Sequence, residues 1–169
     1  MTAAPATGPL AGVRVVDMTS VGMGPYATQI LGDMGADVIK VESPEGDVFR
    51  ASVPAASPGM GAVYLNLNRN KRSVTLDAKH PDDRQRLLEL VDGADVFISN
   101  VRPRALTRAG LDAASLCARN PRLIYCSAVG FGQDGPYAAQ PAFDDIIQAM
   151  SGLAAVSYTH LRAHETRGN

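Results

Sequence analysis

The feature that most constrains this chain is a strand–helix–strand unit near its start. Residues 12–17 (GVRVVD) and 37–42 (DVIKVE) are short β-branched runs that read as buried strands. Between them Gly24 and Pro25 open a helix through Tyr26, Ala27, Ile30 and Leu31, and Gly35 stops it. Two strands bridged by a helix within about 30 residues are expected to lie parallel, with a right-handed crossover.

The same alternation continues. Residues 43–61, rich in Pro, Gly, Ala and Ser, read as a long surface excursion. Residues 73–76 (SVTL), 95–99 (DVFIS) and 123–129 (LIYCSAV) read as three more strands. An amphipathic helix starts at Asp77 or at His80-Pro81. It sets Leu87, Leu88 and Val91 against Asp82, Asp83, Arg84 and Arg86, and ends at Gly93. Short helical segments follow near 105–109 and 113–119, and a last helix over 144–155. Strands alternating with helices predict the α/β class, a parallel sheet with helices on both faces.

A chain of 169 residues suffices for one domain with a core. A net charge of -1 provides no broad basic face, so nucleic acid is not expected as a partner; a local basic pocket for a small anion stays open. No apolar stretch reaches the roughly 18 residues of a membrane span. Cys117 and Cys126 are too far apart for a C-x-x-C pair, and MTAAPATGPLAG lacks the basic and apolar segments of a secretory signal. Reduced thiols and a cytoplasmic location are the expectation.

Helical patterning stops at Ala155. The stretch 156–166 (VSYTHLRAHET) resembles one reading frame of a sequencing-library adapter. The expected organisation is therefore an incomplete domain over 1–155 and a non-native, disordered tail over 156–169. His160, His164 and Glu165 have a spacing that a metal site can use. They fall in that tail, and no metal is expected.

Gly22-Met23-Gly24-Pro25-Tyr26-Ala27 fits G-x-G-x-x-A between a strand and a helix, and Glu42 ends the next strand. In a dinucleotide fingerprint such glycines admit a pyrophosphate and such an acid takes a ribose hydroxyl. A tight strand–helix turn needs the same glycines, so pattern alone leaves both an NAD-binding module and a structural turn open.

Four stretches occur in order: DMTSVGMGPYATQILGDMGADVIKVESPEGD, YLNLNRNKRSVTLD, ADVFISNVRPRALTRAGLD and LIYCSAVGFGQDGPYA. Together, over about Leu10 to Ala155, the chain resembles the class III CoA-transferases, a family that also includes α-methylacyl-CoA racemase. The resemblance implies a Rossmann-like domain that binds coenzyme A, within a longer chain that forms an interlocked homodimer. It implies acyl-CoA and a carboxylic acid as substrates and no tightly bound cofactor.

The resemblance also implies the contacts to CoA. They are Val21, Gly22 and Met23 after the first strand, and Leu76, Asp77, Ala78 and Lys79 after N-K-R-S. Asn100, Val101 and Arg102 follow the fourth strand, Arg108 matches a phosphate-binding arginine, and Val129, Gly130, Phe131 and Gly132 form a glycine-bearing segment. A phosphate-bearing ligand needs such cations and backbone amides. Ser20 and Ser43 depart from the pattern, standing where the formyl-CoA enzyme has a histidine and a basic residue. Lys71 and Arg72 are equally readable as solvated turn charges, and Arg104 and Arg108, four apart on a helix, as a solvated face.

Transfer needs a nucleophile that forms a mixed anhydride and then a thioester with CoA. The family's aspartate follows a helix matching Gln148 to Gly152, so it is expected beyond Ala155, with no catalytic residue within this chain. Asp144 and Asp145 are read as helix-start acids rather than a catalytic dyad. Phe143 stands where the racemase branch has a proton-transferring histidine, which favours the transferase branch.

Overall fold

The computed structural model describes residues 7–153 and 155. In chain order the strands are β1 (Arg14–Met18), β2 (Asp37–Glu42), β3 (Lys71–Thr75), β4 (Val96–Ser99) and β5 (Ile124–Ser127). The helices are α1 (Met23–Asp33), α2 (Ala62–Leu67), α3 (Pro81–Asp92), α4 (Pro103–Ala109), α5 (Ala113–Arg119) and α6 (Asp144–Met150). All strand pairs are parallel, in the order β3-β2-β1-β4-β5. The tail 156–169, with His160 and His164, lies outside the described residues.

Register explains how helices cover both faces. Val16 pairs with Ile39 and Phe97, and their face packs Val16, Val41 and Phe97 on Leu87 and Val91 of α3, Leu106 of α4 and Leu116 of α5. Val15 pairs with Val38 and Val96 on the opposite face, where Leu31 of α1 packs with them. Adjacent residues of one strand thus enter different cores, as a period of two requires. The core on the α3–α5 face is built from apolar side chains. On the α1 face the same period continues from Val15 to Asp17 and from Val38 to Lys40 and Glu42, all three buried. The half of that face nearest the strands' C-terminal ends is therefore charged.

The expected elements are present with shifted ends and two additions. The third strand begins at Lys71, two residues early, because Lys71 and Arg72 pair with Val38 and Ile39. They are strand residues and not turn charges. The excursion after β2 is largely exposed, but it carries a 3-10 turn (Val48–Ala51) and then α2. Neither has an amphipathic pattern long enough to read in sequence; Asp47 caps the turn through Phe49 N–H, and buried Tyr64 anchors α2.

The chain divides into two compact units, 1–128 and 129–169. In the second, Phe131 and Tyr137 have ring centroids 5.7 Å apart. Gly130 faces Ala142 so closely that an added Cβ would lie 2.0 Å from the alanine's. Phe143 is the N-cap residue of α6, so Asp144 and Asp145 occupy the first turn, where their charge suits the helix dipole. Asp144 accepts from the Gln148 amide, and Asp145 from the Ile146 N–H at 2.9 Å. The two acids thus act locally, but in the first turn rather than as the cap.

Candidate functional site

In an open parallel sheet a crevice forms beyond the strands' C-terminal ends, where neighbouring strands send their connections in opposite directions. Here that point lies between β1 and β4. The segments that follow these strands, Val21-Gly22-Met23 and Asn100-Val101-Arg102, are therefore brought to its two sides. A direct link joins them: the Asn100 side chain accepts from Ser20 N–H at 3.0 Å and donates to the Ser20 carbonyl at 2.9 Å. Val101 N–H donates to Ser99 Oγ at 3.1 Å, which fixes the start of the second segment.

The loop after β1 is under tension. Val21 has φ 71°, a left-handed conformation that costs a β-branched residue about 1–2 kcal/mol. Gly22 precedes α1 as its N-cap, and Met23 is 77% exposed. Gly24 is required by close approach, since a Cβ there would stand 2.5 Å from Thr19 Cβ. The glycine motif thus brings α1 against the end of β1.

The other expected contacts divide. Leu76 is buried in the α3–α5 core, so its side chain is a packing element and only its backbone borders the strand end. Asp77 accepts from Lys79 N–H at 2.9 Å, and its own N–H donates to Asp83 at 3.0 Å. This turn leads into α3, with Ala78 packed on the core and Lys79 exposed. Arg102, Arg104 and Arg108 are exposed, and their side chains have no hydrogen-bond or ion-pair partner among the described residues. Val129, Gly130, Phe131 and Gly132 belong to the second unit. Among the described residues no cluster of His, Cys, Asp or Glu suits a metal ion.

Sequence reading missed a network of buried charge beneath this strand end. Asp17 accepts from Thr19 N–H at 2.9 Å, from Thr28 Oγ1 at 2.6 Å and from Lys71 Nζ at 3.0 Å. Lys71 also donates to the Pro25 carbonyl and to Asn68, both at 2.8 Å. Burial pushes the Lys71 ammonium below its ordinary pKa, and the neighbouring Asp17 carboxylate opposes that shift. Lys40 donates to the Thr19 carbonyl at 2.8 Å and to Asp47 at 3.1 Å. The available signal was Lys40 itself: a lysine inside a strand covered on both faces must find a carboxylate.

Glu42 is the hub of the second half of the network. One carboxylate oxygen accepts from Arg50 Nη2 (2.7 Å), Tyr64 Oη (2.8 Å) and Ser73 Oγ (2.6 Å). The other accepts from Arg50 Nε (2.7 Å) and Asp47 N–H (3.0 Å). Burial pushes this carboxyl upward, but the donors led by Arg50 outweigh it and hold the pKa at about 2. Burial, and the bond to Glu42, push Tyr64 up to about 12. The Arg50 guanidinium also lies 3.9 Å from the Tyr64 ring centroid. A carboxylate offers about four lone-pair positions, and five donors fill them. Glu42 therefore has no capacity left for a ribose diol, which removes the chemical basis of the NAD fingerprint.

Comparison with known proteins agrees with this geometry. The model of "CoA-transferase family III" matches residues 10–166. A succinate–glutarate CoA-transferase of Agrobacterium fabrum is 47% identical, over 88% of this chain and 39% of its own length. An acetyl-CoA:oxalate CoA-transferase of Acetobacter aceti is 46% identical, over 90% and 39%. The crystal structure of a CAIB/BAIF family protein from Brucella suis superposes with a TM-score of 0.81 at 46% identity, covering 86% of this chain and 39% of that one. The chain thus spans about two fifths of the length of these relatives. With four motifs in register, the sheet order and these matches in agreement, the chain belongs to CoA-transferase family III.

Proposed function

We propose that this chain is the CoA-binding part of an enzyme that moves coenzyme A from an acyl-CoA donor to a carboxylic acid acceptor. The observation that carries the reading is the switch point between β1 and β4 in the strand order β3-β2-β1-β4-β5. The Ser20–Asn100 clamp joins the segments on its two sides, and Arg102, Arg104 and Arg108, whose side chains have no hydrogen-bond or ion-pair partner among the described residues, follow β4. Exposed guanidinium groups without carboxylate partners suit phosphate oxygens, which they can grip in bidentate fashion. Val21, Gly22, Met23, Asn100, Val101, Arg102 and Arg108 are the proposed contacts there, with Asp77, Ala78, Lys79 and the Leu76 backbone at the β3 end. For Val129, Gly130, Phe131 and Gly132 the proposal rests on the motif match alone.

The chemistry needs a carboxylate nucleophile, which on this reading is an aspartate beyond Ala155. The aspartate attacks the donor thioester, expelling the CoA thiolate and forming a mixed anhydride. The thiolate then attacks the aspartyl carbonyl and releases the donor acid, leaving an aspartyl-CoA thioester. The acceptor carboxylate reverses these two steps. CoA is thus a substrate, with no tightly bound cofactor proposed. Phe143 has no proton to exchange, which supports transfer over racemisation. A homodimer in the cytoplasm completes the reading; no described helix is long and apolar enough to cross a membrane.

Titration calorimetry of the chain with CoA and, separately, NADH tests the binding half. Saturable heat with CoA and none with NADH is expected; the reverse overturns the reading. The division at Ala155 into a CoA-binding domain and an adapter-derived tail is part of the same proposal. Genomic DNA sequenced across that codon from an adapter-free library tests it, and genomic codons for VSYTHLRAHET would refute it.

A further inference from the structure

The loop between β1 and α1 is held at each of three successive residues by a side chain from a different part of the sheet end. Lys40, from the middle of β2, takes the Thr19 carbonyl at 2.8 Å. Asn100, after β4, takes both backbone groups of Ser20. Asp47, after β2, accepts from Val21 N–H at 3.4 Å and binds Lys40 at 3.1 Å. The Lys40 and Asp47 side chains are each only 1% exposed. They cannot touch a ligand in the crevice, yet they bear on the backbone that borders it.

A buried ion pair seldom adds net stability over a well-packed apolar pair, so its presence here calls for another account. The backbone it holds supplies one. Val21 is in a left-handed conformation that it would leave if released. Releasing it would also free Gly22 and Met23 at the start of α1. The loop's other restraints, Asp17 on Thr19 and Asn100 on Ser20, do not reach Val21 among the described residues.

We propose that the buried Lys40–Asp47 pair is a positioning device that holds Thr19 to Gly22 in the shape that receives coenzyme A. The inference rests on the CoA reading above. Lys40 and Asp47 are positioning residues, acting through the loop and not by contact with the ligand.

The test compares the full chain with two double variants. Lys40→Met/Asp47→Leu removes both charges together and avoids the stranded charge that either single change would leave. Lys40→Met/Asp47→Asn keeps an amide oxygen for the Val21 and Phe49 N–H groups. Thermal unfolding, amide hydrogen exchange and CoA titration are measured on all three proteins. The expected result for the Leu variant is a melting temperature within a few degrees of wild type. Its Val21 and Gly22 amides should exchange at least tenfold faster, and CoA should bind at least tenfold more weakly. The Asn variant should recover part of both losses. A folded Leu variant that binds CoA as wild type does overturns the inference and leaves the CoA reading standing. A wild-type chain that does not bind CoA overturns the CoA reading and this inference with it.

Discussion

Replacing Glu42 with glutamine removes one charge from the hub that ties residues 43–73 to the sheet. The carboxyl falls from its ordinary value of 4.5 to about 2 in the folded chain. At about 1.4 kcal/mol for each tenfold change, its ionisation favours the folded state by about 3 kcal/mol at neutral pH. The side chain is 4% exposed, so solvent screens little of this. Glutamine offers one oxygen and turns an NH2 group toward donors, Arg50 Nε or Asp47 N–H, so a loss of the same order is expected. For a chain of this length it corresponds to a fall in melting temperature of about 6–12 °C. The sign with pH follows from the lowered carboxyl. The stabilisation is fully present above the unfolded value of 4.5 and disappears as pH falls toward 2, where the wild-type group is protonated as well. Urea unfolding of wild type and Glu42→Gln between pH 2.5 and 7 measures the gap directly. It should be about 3 kcal/mol at pH 7 and narrow steadily below pH 4.5. A gap under about 1 kcal/mol at pH 7, or one that stays constant across the range, would refute the assignment of Glu42 as the hub.

Lys71→Met strands the buried Asp17 carboxylate and should cost about 3–5 kcal/mol; Asp17→Asn in the same chain should recover much of it, as followed by thermal unfolding. Because that pair is buried, the loss should barely change with added salt. Gly24→Ala drives a methyl group into Thr19, so chemical denaturation should show a loss of about 1–3 kcal/mol, with weakened CoA binding in the same protein. Arg102→Ala and Arg108→Ala break no side-chain hydrogen bond or ion pair among the described residues, so each should stay within about 0.5 kcal/mol of wild-type stability. Each should raise the calorimetric Kd for CoA roughly tenfold, as the loss of a charge-assisted phosphate contact would; unchanged affinity in both would move the phosphate site elsewhere.

The sheet was legible in the sequence because parallel strands covered on both faces are written as short apolar, β-branched runs. GVRVVD, DVIKVE, DVFIS and LIYCSAV all became strands, with ends displaced by a residue or two. Local chemistry also placed α1, expected from Gly24-Pro25 to Gly35 and found at Met23–Asp33, and offered His80-Pro81 as one of two starts for α3, which begins at Pro81. The family motifs added candidate contacts, of which Val21 to Met23 and Asn100 to Arg102 fall at the strand ends flanking the crevice. Alternation along DVIKVE even put Lys40 and Glu42 on one face with Val38.

The partners of those charges were settled only by the tertiary structure. Lys71 and Asp17 are 54 residues apart, and Glu42 and Tyr64 are 22 apart. No local pattern encodes such pairings; they arise when β3 docks on β2 and brings distant side chains onto one face. The same docking decided what the glycine motif means. As a string, Gly22 to Ala27 followed by Glu42 suits a ribose-binding site and a tight turn equally. Once Arg50, Tyr64, Ser73 and the Asp47 amide fill the carboxylate, the acid is part of the scaffold. The sequence by itself thus determined which segments form the sheet and which of them carry the proposed ligand contacts. Folding determined which charges remain free there, because a side chain is available to a ligand only when nothing else in the folded chain has already satisfied it.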